Sequence, residues 1–420
     1  MAFLILNVNQ QKTLVVIGGG AAGFFCAVNA AKINTALRVI IIEKTNKILS
    51  KVKVSGGGRC NVTHACFDLQ ELSKKYPRGQ NFLKKAFHWF NTKHTINWFN
   101  EKGVELKTES DGRMFPATNS SETIIECLLK ETNKYKIEIL LNKTVEKIDV
   151  LQNSNQFKIN FLNTEFIIAN FVCVATGGYP KTTMFNWLLT LNHTIVEPLP
   201  SLFTFNIPNN KIVELMGVSV NAATVKINGT KFINDGPLLI THWGMSGPAI
   251  LKLSAFAAIE LAAMNYDFSI SVNWLPSYNE QSLKNEWLML RKKLSSQKMS
   301  YKNPFQLPNR LWQYFLNECS INDNVRWSDL ITTQQNKLIK TIVAQEFQVK
   351  GKTTFKEEFV TCGGIKLNEV DVNTMQSKIV PHLFFAGEVL DIDGITGGFN
   401  FQNAWTTGYI AAKTIAELSI

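Results

Sequence analysis

The sequence predicts an α/β fold: a discontinuous Rossmann-type domain interrupted by a β-rich insert and a small helical segment. Three observations predict it. A strand–glycine–helix–strand unit occupies Leu14–Glu43, and a second run of the same style fills the last seventy residues. Between them, residues 202–275 carry short alternating runs separated by Gly, Asn and Pro, the pattern of a β-rich domain.

The first unit sets the rest. Leu14-Val15-Val16-Ile17 is a short apolar run, three of its four residues β-branched, and reads as a buried strand. Gly18, Gly20 and Gly23 follow at G-x-G-x-x-G spacing. In that spacing the first glycine permits the tight turn, the second lets backbone approach a pyrophosphate, and the third lets helix pack close to strand. Ala21, Ala22 and the Ala-rich stretch to Lys32 open a helix whose free N–H groups would face the phosphates. A second apolar run, Val39–Ile42, ends in Glu43, twenty residues after Gly23, where an acid is expected on a ribose hydroxyl pair, with Lys44 beside it. Strand, glycines, helix, strand and acid in this order are specific to a Rossmann-type dinucleotide site.

Residues 44–66 contain Ser55-Gly56-Gly57-Gly58-Arg59-Cys60-Asn61. Three consecutive glycines before an arginine do not make regular structure; they suit backbone lying against a flat or anionic ligand. Residues 81–101 read as one or two helices. Asp111–Pro116 is a turn entering an extended segment, and Ser120 or Ser121 offers an N-cap for a helix through Lys130. The runs 137–148 and 156–168 alternate as in a hairpin, with Val145 placed where a strand would pass an adenine. Phe171–Ala175 is another buried strand, ending in Thr176-Gly177-Gly178. Gly236–Ser254 holds an extended run, a glycine-rich turn and Pro248 at a helix start. Residues 280–347 are helix-like. Leu383–Glu388 is a buried strand ending in Gly387-Glu388, and Asp391, Asp393 and Gly394 follow. Gly397-Gly398-Phe399-Asn400-Phe401 then opens a long C-terminal helix. Burying that helix against the N-terminal sheet makes the first domain discontinuous. The expected boundaries are 1–195 with 350–420, 196–279 for the β-rich insert and 280–349 for the helical segment.

Composition bounds the function. With 45% hydrophobic and 18% charged residues over 420 positions, the chain is a folded multi-domain protein. No apolar run approaches the roughly 18–20 residues that span a bilayer, and the Ala2–Leu6 run lacks the basic flank and length of a signal segment. A cytoplasmic protein is expected. Seven scattered cysteines without a C-x-x-C pair, and six histidines without H-x-x-x-H spacing, give no disulfide framework and no metal site. The net charge of +11 favours an anionic partner. Leu72–Asn100 contains no acid but carries Lys74, Lys75, Arg78, Lys84, Lys85 and Lys93, interleaved with Tyr76, Phe82, Phe87, Trp89, Phe90, Trp98 and Phe99. Two readings stand for it: an amphipathic helix with a solvated basic face, and an RNA-contacting surface.

Six motifs occur in one order: Gly18–Gly23, SGGGRCN at 55–61, DGRMFP at 111–116, ATGG at 175–178, THWGMSGPAI at 241–250 and FAGEVLDIDGITGGFNFQNAW at 385–405. In this combination the chain resembles the BaiN/RdsA family of FAD-dependent oxidoreductases, also called aminoacetone oxidase-like, over nearly its whole length. The resemblance implies a discontinuous Rossmann-type (GR2-like) FAD domain, a β-barrel-like insert and a small helical domain. It implies that Gly18, Gly20 and Gly23 contact pyrophosphate and that Glu43 holds the adenosine ribose. Gly58, Arg59, Cys60 and Asn61 would line the flavin side, and Gly387, Glu388, Gly398, Asn400 and Phe401 would hold ribityl and ring. Ala21, Ala22, Lys44, Gly57, Val145, Thr176, Gly177, Asp393 and Gly397 complete the expected cofactor set. The chain departs from the family after Gly178. There Tyr179–Phe185 replaces a longer glycine-rich loop, which puts that loop's contacts in doubt.

The expected chemistry is reduction of an activated C=C bond, with hydride passing from NAD(P)H through FAD. Uridine in ribosomal RNA is the favoured substrate, since the charge and the basic stretch suit RNA and a reduced base must leave its stack. A small-molecule oxidase or reductase acting on an amine or a steroid-type enone is the alternative, and a non-catalytic FAD-containing RNA-binding protein a third. No second G-x-G-x-x-G exists for a separate nicotinamide domain, so NAD(P)H is expected only transiently. Cys60 is a candidate proton donor or a small packing residue. His242 is a candidate hydrogen-bond donor or a core histidine. Arg113 and Lys181 are candidate anion contacts.

Overall fold

The computed structural model describes residues 11–151, 154–353 and 360–420; the Ala2–Leu6 run lies outside them. The described residues of Met1–Pro200 and Lys356–Ile420 form one compact unit, and those of Ser201–Phe355 another.

The first unit is built on a five-stranded parallel sheet. Its strands are β1 (Thr13–Ile17), β2 (Arg38–Ile42), β3 (Glu138–Leu140), β4 (Phe171–Val174) and β5 (Leu383–Phe385), in the order β5-β4-β1-β2-β3. Val15 of the central strand faces Ile40 on one side and Val172 on the other. All five β1 residues are buried, so the strand reads as a continuous apolar run rather than an alternating one. β5 adds on the far side of β4, so both ends of the chain build one sheet. The run 137–148 divides: its first part joins the parallel sheet as β3, and the antiparallel meander begins only at Val145.

Helix α1 (Ala21–Ile33) is buried without a break from Ala22 to Ala31. The C-terminal helix, labelled α5 (Phe399–Leu418) because α2 to α4 precede it, lies against α1. A Cβ at Gly408 would stand 2.8 Å from the Ala22 carbonyl, and the Phe25 and Trp405 rings are 5.1 Å apart. Two polar groups of α5 fix its depth. Buried Gln402 accepts from Thr63 Oγ1 at 2.6 Å and from Thr95 Oγ1 at 3.0 Å, and Trp405 Nε1 donates to the Val62 carbonyl at 2.9 Å. Left unpaired, a buried amide of this kind costs about 1–3 kcal/mol, so these bonds set the register of α5 against its neighbours.

Between β2 and β3 lie α2 (Ser50–Gly58), α3 (Gln80–Ala86) and α4 (Thr92–Asn100). The helix Glu122–Lys134 follows, and of the two serines expected to cap it only one does. Ser120 Oγ takes the Glu122 N–H at 3.3 Å, whereas Ser121 turns away and donates to the Lys53 carbonyl at 2.8 Å.

The second unit is a seven-stranded antiparallel sheet with helices. The strands Gln345–Lys350 and Lys352–Thr353, at the two ends of its strand order, are separated in the chain only by Gly351. Pro248 stands in the first turn of its helix Pro248–Phe256. The helical stretch expected to stand apart at 280–349 does not. Leu283, Trp287, Leu311, Trp312, Phe315, Leu338 and Ile342 close over the same core as Val225, Ile270, Val272 and Phe347. Helices and sheet here need one another to bury their apolar faces.

Candidate functional site

The site is organised by the turn between β1 and α1. A Cβ at Gly18, whose φ is +119°, would stand 2.7 Å from the Ala175 carbonyl carbon and 2.9 Å from Thr176 Cα. A Cβ at Gly23 would run into the Gly18 carbonyl oxygen. Gly20 is different: nothing lies within 4 Å of a Cβ placed there. Two glycines therefore close the strand against the helix, and the third leaves an open cradle in front of α1. Gly20 caps α1 without a side chain, so the first-turn N–H groups, from Ala21 on, face outward with the helix dipole behind them. A phosphate is the group that such a cradle accommodates.

Glu43 stands next to this turn. Its Oε2 accepts from the Gly19 N–H at 3.0 Å and its Oε1 from the Thr45 N–H and hydroxyl, both at 2.9 Å. Both oxygens are thereby aimed, and the carboxylate keeps acceptor capacity for a hydroxyl pair. Lys44 is exposed, with its ammonium 5.5 Å from the Tyr179 ring, and Val145 is half-buried at the start of its strand.

α2 breaks where the glycines begin. Ser55 is extended, and Gly56, Gly57 and Gly58 have φ of +59°, +69° and +84°. Gly56 packs on Phe115, while Gly57 and Gly58 face open space. Across from them, the β4 strand ends in Thr176-Gly177-Gly178, with Gly177 also open and Gly178 against Thr361 and Glu388. Gly387 lies over α1: a Cβ there would be 2.8 Å from the Ala22 side chain. Glu388 is held by the Thr361 N–H at 2.9 Å and by Lys51 of α2 at 2.8 Å. Beside it the buried Thr361 hydroxyl has no partner among the described residues. At the start of α5, Asn61 donates to the Thr63 carbonyl at 3.0 Å and accepts from the Gly398 N–H at 3.1 Å. Open glycines on three loops, an aimed carboxylate and an orphaned hydroxyl together fit a dinucleotide carrying a flat ring.

The family model described as the HI0933-like protein Rossmann domain matches residues 12–414. The chain belongs to this family. It is an FAD-dependent oxidoreductase. One relative, "Ribosomal RNA dihydrouridine synthase" of Haemophilus influenzae, is 30% identical over 97% of this chain and 100% of its own length. Another, "3-dehydro-bile acid delta(4,6)-reductase" of Clostridium scindens, is 25% identical over 96% of this chain and 98% of its own. Among solved structures, 3-ketosteroid-Δ4-(5α)-dehydrogenase from Rhodococcus jostii shares the fold, with a TM-score of 0.50 at 12% identity over 97% of this chain and 99% of that one.

In this HI0933-like protein several expected site residues have other work. Asp393 is fully buried and holds Arg78 through both carboxylate oxygens, with Nε to Oδ1 at 2.6 Å. It ties the C-terminal loop to residue 78; Arg78 accordingly leaves the basic surface. Asn400 closes its own loop, accepting from the Gly394 N–H at 2.8 Å and donating to the Gly394 carbonyl at 2.9 Å. Arg59 stacks on Phe115 at 4.0 Å and pairs with Glu109 at 2.6 Å, so its charge is already met. Arg113 is likewise paired, with Asp111 and Glu109. Phe401 stacks on Trp405 at 5.8 Å. Lys181 is exposed.

The two candidate proton donors stand in different surroundings. Cys60 is fully buried at φ +60°, and burial pushes its thiol up to about 12. It packs and does not open onto the site. His242 lies in the second unit, on the turn after Ile233–Thr241, exposed beside Trp243; it is not a core histidine. The sequence reading missed three residues: Lys51, Thr361 and His64. His64 stacks on Phe399 at 4.7 Å, and its Nδ1 lies 3.1 Å from the Gly397 carbonyl. Its place three residues after Asn61, at the end of the glycine motif, was the available signal.

Among the described residues no group of His, Cys, Asp or Glu is placed to hold a metal, and no helix is long and apolar enough to cross a membrane.

Proposed function

We propose that this protein reduces the C5=C6 bond of uridine in ribosomal RNA to dihydrouridine, in the cytoplasm, with NAD(P)H as reductant. The overall reaction takes one hydride from NAD(P)H and one proton from solvent, releasing NAD(P)⁺. The observation that carries it is the near full-length similarity to a relative named for that reaction, in a chain with a net charge of +11. When bound, FAD supplies the hydride chemistry. The chain's own part is to hold it. Gly18–Gly23 and the α1 N-terminus take the pyrophosphate, Glu43 the ribose hydroxyls, and Glu388 with Thr361 the sugar-like chain. Gly57, Gly58 and Gly177 leave room for the ring, whereas Gly397 and Gly398 are packed, a Cβ at them meeting Phe399 at 3.1 Å and the Thr63 carbonyl at 2.6 Å.

Reduction of a steroid-type enone is the second reading, favoured by the Clostridium scindens relative. The two readings share an activated C=C bond and differ in what surrounds it. Anaerobic NAD(P)H consumption by the purified holoenzyme separates them. With ribosomal RNA from cells lacking the gene, NAD(P)H should be consumed one-for-one with the dihydrouridine formed. Turnover of a 3-oxo-Δ4 steroid, with RNA inert, would replace the first reading by the second.

A further inference from the structure

The stretch 72–100 folds so that its aromatics and its cations part company. Tyr76, Phe87, Phe90, Trp98 and Phe99 are buried, and they pack the unit rather than any partner. Lys84 and Lys85, in the last turn of α3, and His88, Lys93 and His94, around the start of α4, are exposed. One aromatic goes with them. Trp89 is 45% exposed, on the connection between the two helices. Its ring is held in place: Lys413 of α5 lies 4.5 Å from its centroid, and its Nε1 donates to Asn373 at 3.3 Å. Lys413 also faces Glu417 at 3.7 Å, but no acid comes from residues 72–100 themselves, and an indole fixed among these lysines is a poor solvent-facing residue and a good platform for a base. Each nucleobase offers a π-face to stack, and the surrounding ammonium groups meet the phosphates.

We infer that Trp89, with Lys84, Lys85, Lys93 and Lys413, forms a docking platform for a single-stranded segment of RNA beside the reacting uridine. The inference rests on the ribosomal RNA reading above and adds where the RNA is held. α5 supplies a ruler. Its N-terminal turn, Gly398–Phe399, belongs to the cofactor side, and Lys413 is fourteen residues further on. At 1.5 Å per residue these points are about 21 Å apart. At about 3.4 Å per stacked nucleotide of one strand, this corresponds to about six nucleotides. The platform therefore grips the RNA at a distance from the chemistry. It contributes to binding and not to the reacting atoms.

The test uses the full-length holoenzyme and a fluorescein-labelled 12-nucleotide oligouridylate, read by anisotropy over a salt series. Trp89→Ala should weaken binding about 5- to 100-fold while leaving the slope of log K against log salt unchanged, because stacking is not ionic. Trp89→Phe should keep most of the affinity. Lys84→Gln and Lys85→Gln should each lower the slope by about 0.7. In turnover of ribosomal RNA, Trp89→Ala should raise KM and leave kcat alone. Wild-type binding with no loss in Trp89→Ala, or a kcat loss at unchanged KM, would overturn the platform. Absence of RNA binding by the wild type would overturn the platform and the ribosomal RNA reading together. Platform-dependent binding without any uridine reduction would leave the platform standing and remove only the reaction.

Discussion

Gly20 and Gly23 are three residues apart, and the structure assigns them opposite consequences. Gly23→Ala puts a methyl group onto the Gly18 carbonyl oxygen, with the Gly18 carbonyl carbon at 3.2 Å and Val16 Cγ1 at 3.3 Å on either side. The obstacle is backbone, and α1 is already wedged between the sheet and α5, so the strain has no flexible side chain to absorb it. Overpacking of this kind costs about 1–3 kcal/mol. For a domain of this size that lowers Tm by about 2–10 °C. The Cβ of Gly20→Val meets nothing within 4 Å, and its cost in the apoprotein is a poorer N-cap, about 1 kcal/mol. Its side chain instead fills the cradle. Losing two charge-assisted backbone contacts to a phosphate, at about 1.5–3 kcal/mol each, weakens FAD about 10²- to 10⁴-fold. The assay is apoprotein Tm by differential scanning fluorimetry beside FAD titration by flavin fluorescence. Wild-type FAD affinity in Gly20→Val, or an unshifted Tm in Gly23→Ala, would refute the assignment of roles.

Three further predictions rest on other parts of the site. Arg78→Met leaves the Asp393 carboxylate buried without its cation and should cost about 3–5 kcal/mol in urea unfolding, whereas an exposed Lys84→Met should fall within about 0.5 kcal/mol. The Cys60 thiol is raised by burial from 9.0 to about 12 in the folded protein, so its neutral form is the one the fold stabilises. Stability from this group is complete below pH 9 and is lost as pH climbs toward 12, on the order of 4 kcal/mol; Cys60→Ala should flatten that part of an alkaline unfolding curve. For the same reason Cys60→Ala should leave the pH profile of turnover between pH 6 and 8 unmoved, and a displaced profile would return Cys60 to the chemistry.

The parallel sheet and its glycine turn were legible in the sequence because each part has a local signature. A β-branched run, three spaced glycines and an acid twenty residues on all follow from the short-range geometry of one βαβ unit. The return of the C-terminal strand to that sheet was legible from Leu383–Phe385 repeating the same apolar style. What the sequence hid is pairing at long range. Nothing local says that Arg78 belongs to Asp393 rather than to solvent, or that Arg59 and Arg113 share Glu109. Arg78 and Asp393 are 315 residues apart and Arg59 and Glu109 are 50 apart, so only Arg113, paired with Glu109 and Asp111, has its partners close in the chain. The Asn400 side chain was equally hidden: a polar residue at a helix start suits a ligand and a loop alike, and here its amide bonds Gly394. The segment 280–349 has helical periodicity, but whether its apolar faces make their own core or complete the neighbouring sheet depends on strands such as Gln345–Lys350, which follow it in the chain.

The measurement that tests the central claim most directly is the dihydrouridine content of bulk ribosomal RNA, by mass spectrometry of digested nucleosides, from cells with and without this gene. Loss of one dihydrouridine, restored by the wild-type gene and by Cys60→Ala but not by Gly20→Val, is the predicted result. An unchanged level, in a strain shown to carry that modification, would contradict it.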